Sequence, residues 1–124
     1  MTHLDTHVAL WLYAGDIERL STTARNRIES DEVAVSPIVQ LELQYLKETD
    51  RITVDSALVI EYLANTIGLT FCDLPFARVV IESIQQTWTR DPFDRIIVAQ
   101  AASRGVPLLT KDAMIREHYR SAIW

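Results

Sequence analysis

The chain has 124 residues, 48% of them apolar and 23% charged, with a net charge of −5 and a single cysteine. That length and apolar content exclude an unfolded chain and suit one domain, 1–124, with a core of its own. One cysteine excludes an internal disulfide, the longest apolar run (Val8 to Ala14) is far short of a membrane span, and the acidic balance argues against a general nucleic-acid coat protein.

In chain order, a short strand ending near Leu4 is expected first, then a helix from Asp5 to about Tyr13. Ser21 is a cap for a second helix reaching Glu29, and Val33-Ala34-Val35 reads as a short buried strand. Ser36-Pro37 opens a helix to about Lys47, with serine as cap and proline at the first helical position. Thr53 or Asp55 starts the next, to about Thr66. Leu69–Leu74 is strand-like and holds Cys72, expected as a buried core thiol. Pro75 begins a helix through Gln86, and Asp91-Pro92 begins another that ends at Gly105. Val106–Thr110 is a strand, Asp112 to His118 a last helical piece, and Ala122–Trp124 an edge strand or a tail. Short apolar strands alternating with helices specify an α/β domain with a mostly parallel central sheet. Ligands of such sheets bind beyond the carboxyl ends of the strands. The start of the chain lacks a basic run followed by a cleavage-type segment, so no secretory signal is expected, and a reducing cytoplasm fits the lone thiol.

Four carboxylates stand out. Asp5 directly follows the first strand and Asp112 follows the strand that ends at Thr110, so both belong at strand carboxyl ends. Taken singly, each is at least as well explained as a helix N-cap. Glu42 shares a helical stripe with Ile38, Val39, Tyr45 and Leu46, and Asp94 shares one with Ile97, Val98 and Ala101. A carboxylate turned toward apolar surroundings needs a cation nearby or loses its charge. An internal Arg or Lys is one candidate for that cation, and a divalent metal the other. Asp91 is fully explained as a cap and has a supporting place only. Oxygen-only ligation without a Cys/His cluster points to Mg²⁺ or Mn²⁺ rather than zinc. No Ser/His/Asp or Cys/His nucleophile set is evident, so metal-activated water is the economical chemistry. Charge is also uneven: residues 1–85 carry 6 Lys/Arg and 13 Asp/Glu, a balance of −7, whereas residues 86–124 carry 6 and 4, a balance of +2. A phosphate-bearing ligand would meet the C-terminal third, or metal held on the carboxylates.

Four segments together resemble the PIN-domain family: Leu4-Asp5-Thr6-His7-Val8-Ala9-Leu10-Trp11, Ser36-Pro37-Ile38-Val39-Gln40-Leu41-Glu42, Arg90-Asp91-Pro92-Phe93-Asp94-Arg95-Ile96-Ile97-Val98-Ala99-Gln100-Ala101, and Leu108-Leu109-Thr110-Lys111-Asp112. They follow the family's order and intervals over nearly the whole chain, and the last two are the most specific. At this length the chain looks like VapC-type toxins of toxin–antitoxin pairs. The resemblance implies a PIN-like three-layer α/β/α domain and a Mg²⁺- or Mn²⁺-dependent endoribonuclease. It implies Asp5, Glu42, Asp94 and Asp112 as the catalytic, metal-holding quartet, and Thr110 as a supporting hydroxyl. It also implies an RNA substrate, a homodimer and a cognate antitoxin protein.

Arg95 and Lys111 neighbour the acidic motifs and are the expected RNA phosphate contacts. His7 could face a phosphate or a water, but also fits an ordinary solvated residue, and Trp11, Trp88 and Trp124 fit core or interface anchors better than base-stacking platforms. His3 and His118 suggest no role. Two other functions share this outline. A receiver-type signalling domain would have a similar sheet, but no adjacent acidic pair follows the first strand here. A non-catalytic PIN-like interaction module would be marked by a missing acid, and all four positions are filled.

Overall fold

The computed structural model describes residues Met1–Trp124. It contains β1 (Thr2–Leu4), α1 (Thr6–Ala14), α2 (Thr22–Ser30), β2 (Val33–Val35), α3 (Ile38–Glu48), α4 (Ser56–Ile67), β3 (Thr70–Phe71), α5 (Phe76–Ile84), α6 (Pro92–Arg104), β4 (Leu108–Leu109), α7 (Ala113–His118) and β5 (Ala122–Ile123). The five strands form one sheet in the order β3-β2-β1-β4-β5, and every neighbouring pair is parallel. The sheet is thus wholly parallel rather than mostly so.

Every residue of β1 and β2 is buried. Successive side chains of a strand point to opposite faces, so helices must cover both faces of the sheet. The α/β/α layering follows from that. Leu4, Val35, Val39, Leu43, Leu63, Ile97, Leu108 and Leu109 lie in the continuous core. The sheet edges differ: both residues of β3 are exposed and both of β5 half-buried. The tail at Ala122–Trp124 is therefore an edge strand, with Ala122 and Ile123 paired to Leu108 and Leu109.

Local signals located most boundaries. Ser21 Oγ accepts the Ala24 amide at 3.0 Å and caps α2. Asp55 precedes α4, and Gly105, in the left-handed conformation (φ 72°), ends α6. Three segments are shorter than their patterns predict. Leu69–Leu74 pairs only at Thr70–Phe71, Val106–Thr110 only at Leu108–Leu109, and the helix expected over Pro75–Gln86 runs Phe76–Ile84. In the first of these, Leu69 and Cys72 flank the ladder and are buried, and the Cys72 amide still donates to the Val35 carbonyl at 2.9 Å. A 3-10 turn at Ile17–Arg19, with no sequence signal of its own, closes the α1–α2 connection. No helix is long and apolar enough to cross a membrane.

The topology selects the site. The chain moves outward from β1 to β2 and β3, then returns to the other side of β1 for β4 and β5. The order reverses between β1 and β4, and the loops leaving those two strands diverge and leave a crevice. Asp5 follows β1, and Thr110, Lys111 and Asp112 follow β4.

Candidate metal and phosphate site

A cleft of about 260 Å³ opens at this point, lined by Asp5, Thr6, His7, Leu10, Glu42, Leu46, Asp91, Asp94 and Asp112. All four acids singled out in the sequence face it, with Asp91 as a fifth. Three of the five are helix N-caps, and Glu42 and Asp94 stand on helices. Asp5 is the N-cap of α1: one carboxylate oxygen accepts the Thr6 amide at 2.7 Å. Its other oxygen accepts the Thr110 hydroxyl at 2.6 Å. Thr110 is fully buried, and its Oγ1 also accepts the Asp112 amide at 3.0 Å. One threonine therefore ties the β1 acid to the β4 acid. Asp112 in turn caps α7, accepting the Ile115 amide at 3.0 Å. Capping and a place in the cleft are thus not alternatives for Asp5 or Asp112, because each uses one oxygen on the helix.

Glu42 stands on α3 and receives a short hydrogen bond from the Thr6 hydroxyl. Asp94 lies in the first turn of α6, where Asp91 caps the helix through the Phe93 and Asp94 amides at 2.9 and 3.4 Å. Where α3 begins, Ser36 Oγ donates to Gln100 Oε1 at 2.8 Å, and both residues are buried. This bond fixes the start of the Glu42 helix against the body of the Asp94 helix.

The electrostatics are one-sided. Asp94 is pushed up from 3.8 to about 7, first by burial and then by Asp91, Asp5, Asp112 and Glu42. Burial also raises Glu42; the Thr6 hydrogen bond opposes this, and Asp5 and Asp91 add to it. No Lys or Arg forms an ion pair with any of the five acids. The internal Arg or Lys that could have balanced Glu42 and Asp94 is thereby replaced by like charge. Four or five carboxylates with only a histidine beside them suit a hard divalent cation. No three His, Cys, Asp or Glu side chains stand ready to enclose an ion among themselves. A cation such as Mg²⁺ takes one or two carboxylates directly and keeps several waters, so it does not require such an enclosure.

Two residues that the sequence pattern left unmarked or leaned against take part. Thr6 has no motif to mark it, since its partner Glu42 is 36 positions away. His7 is half-buried in the cleft wall: its Nε2 accepts the Lys111 amide at 3.1 Å, and its Nδ1 lies 3.5 Å from Asp5 Oδ2. An accepting Nε2 puts the proton of a neutral ring on Nδ1, facing Asp5. The two cations expected at phosphate are placed differently. Arg95 Nε donates to the Thr89 carbonyl at 2.8 Å, and Lys111 Nζ lies 6.0 Å from the centre of the Trp11 ring. Neither lines the cleft.

Residues 3–121 match the family model described as PIN domain. The chain is 36% identical over 121 residues to Ribonuclease VapC22 of Mycobacterium tuberculosis (strain ATCC 25618 / H37Rv), a match covering 93% of this chain and 89% of that one. Its fold is similar to a chain in the crystal structure of VapBC2 from Rickettsia felis bound to a DNA fragment from their promoter. That likeness has a TM-score of 0.69 and 16% identity over 98% of this chain and 95% of the other.

Proposed function

The chain belongs to the PIN domain family, and from that premise we propose that it is a divalent-metal-dependent endoribonuclease, the toxin of a toxin–antitoxin pair. The observation that carries the reading is Asp94: a half-buried acid raised to about 7, first by burial and then by four other carboxylates on one cleft, with no basic side chain paired to any of them. A protein that needed these acids only for stability would be better served by amides. The ribonuclease identity of the Mycobacterium relative supports RNA as substrate, and the VapBC2 complex supports an antitoxin partner. A homodimer completes the proposal.

Asp5, Glu42, Asp94 and Asp112 would hold Mg²⁺ or Mn²⁺. Such an ion supplies a Lewis acid for a phosphoryl oxygen and lowers the pKa of a water for in-line attack. The chain's own residues do the rest. Thr110 and the Thr6 amide hold both oxygens of Asp5, so its carboxylate is oriented before any ligand arrives. The Thr6 hydroxyl orients Glu42 in the same way. Asp94 carries a proton for much of the time near neutral pH and must release it to act as a ligand. Asp91 holds α6 at the angle that presents Asp94.

The test is cleavage of matched RNA and DNA by the purified chain with Mg²⁺, Mn²⁺ or EDTA, beside Asp94→Asn. Cutting of RNA that needs metal and disappears in the variant is expected. Folded protein that binds metal and cuts no RNA, free of any antitoxin, would overturn the proposal.

A further inference from the structure

We infer that Arg19 and Lys111, gathered around the Trp11 indole, form the phosphate-anchoring subsite for the RNA strand entering the cleft. The inference rests on the ribonuclease reading above and adds the residues that grip the substrate. An acidic cleft repels a polyanion, so the strand needs cationic anchors outside the cluster of acids. Of the two cations expected there, Arg95 donates its Nε to the Thr89 carbonyl.

Lys111, the other, is joined by a cation that the sequence did not mark, Arg19. The Arg19 guanidinium carbon lies 5.6 Å from the Trp11 ring centre, and Lys111 Nζ lies 6.0 Å from the same ring, both within cation–π range. The two residues are 92 positions apart in sequence, on the 3-10 turn after α1 and on the loop after β4, so only the fold brings them to one indole. Two cations held at one aromatic ring raise the local positive potential, which favours an anion. Neither has a good one. Lys111 pairs with no carboxylate, and Arg19 has only Asp16 at 3.9 Å on the exposed surface.

The patch is joined to the cleft. His7 lines the cleft beside Asp5, and its ring lies 4.8 Å from that of Trp11. The same His7 accepts the Lys111 amide, and Lys111 precedes Asp112 in the chain. Trp124 braces the far side of the cluster, 5.9 Å from Trp11. Half-buried between His7 and Trp124, Trp11 acts here as the post that positions two charges. The strand's phosphates, rather than a stacked base, are what this surface grips.

The test is fluorescence anisotropy with a labelled single-stranded RNA oligonucleotide at several salt concentrations. Asp94→Asn serves as the non-cutting parent, and Arg19→Ala/Lys111→Ala is added to it. Both cations are exposed, so the substitutions leave the core alone. Loss of two phosphate contacts should weaken binding about ten-fold or more and flatten the log–log salt slope by roughly 1.4. Trp11→Leu should weaken binding in the same direction, and Trp11→Phe less. Equal affinity and slope in parent and double variant, while the unsubstituted chain cuts RNA with metal, overturns the subsite and leaves the ribonuclease standing. No cutting by the unsubstituted chain and no RNA binding by the parent overturns both. Tighter binding of an oligoglutamate peptide than of RNA, lost in the double variant, would assign the surface to an acidic protein segment and overturn the inference.

Discussion

Two carboxylates at opposite ends of the sheet have opposite company. Asp31, just before β2, accepts from the N-terminal ammonium at 3.0 Å and the Thr2 hydroxyl at 2.6 Å, with Arg27 at 3.6 Å. The Thr2 and ammonium hydrogen bonds hold its pKa below the ordinary value, and Arg27 adds to them. Asp94, beyond the carboxyl ends of the strands, has no cation and four acidic neighbours, and its pKa rises from 3.8 to about 7. The first arrangement is what a chain does with a carboxylate it uses to tie two segments together. The second carries a standing electrostatic cost, and a site for an external cation gives it a reason.

The sharpest way to break the contrast is exchange of acid for amide at each end. Asp94→Asn, or Asp5→Asn, should lower RNA cutting at least about a hundred-fold with the fold retained, as removal of a metal ligand does. Steady-state cleavage and circular dichroism measure both halves of that statement, and full activity in both variants sinks the metal-site assignment. A smaller effect comes from His3, on β1 two residues before Asp5 and buried in the core. Both its ring nitrogens are buried without partners, and burial lowers its pKa from 6.5 to about 4, with Arg104 and the N-terminus adding to the effect. Below 6.5 the unfolded chain takes up this proton before the folded one does. Stability should therefore fall as pH drops from 6.5 toward 4, by up to about 3 kcal/mol. His3→Leu, assayed by urea unfolding across that window, should remove this component.

Asp94 has the reverse sign. Its folded pKa lies above the unfolded one, so the folded chain binds the extra proton between 3.8 and about 7. Without metal, stability should fall as pH rises through that window, by about 1–2 kcal/mol once solvent screening is allowed for. Asp94→Asn should abolish this slope in EDTA and make the metal-free chain the more stable one at pH 8. A steeper slope in the variant would contradict the assignment. The least effect is expected at the other end: Asp31→Asn should lower Tm slightly and leave metal-dependent cutting as it was. A loss of cutting there would mean that the two ends are coupled.

Much of the site was legible because its devices are local. Asp5, Asp91 and Asp112 each precede a helix, and cap spacing is written within three residues. Glu42 and Asp94 declared themselves by falling on apolar helical stripes, a pattern that spans one or two turns. Thr6 was not marked, because its partner Glu42 is 36 positions away, and the sequence leaves His7 fitting a solvated residue equally, because its contact with the Lys111 amide spans 104. Proximity to an acidic motif pointed to Arg95, whose Nε donates to the Thr89 carbonyl, whereas Arg19, at the Trp11 ring, has no such motif beside it.

The sequence alone determined the alternation of strands and helices, their caps, and the presence of carboxylates that their own helices could not satisfy. These rest on interactions a few residues long. Only the tertiary structure decided that the acids meet one another rather than a lysine or arginine. Thr6 reaches Glu42 across 36 positions and Thr110 reaches Asp5 across 105. Desolvation and Coulomb energy depend on distance through space, and no spacing along the chain encodes that distance until the parallel sheet sets β1 beside β4.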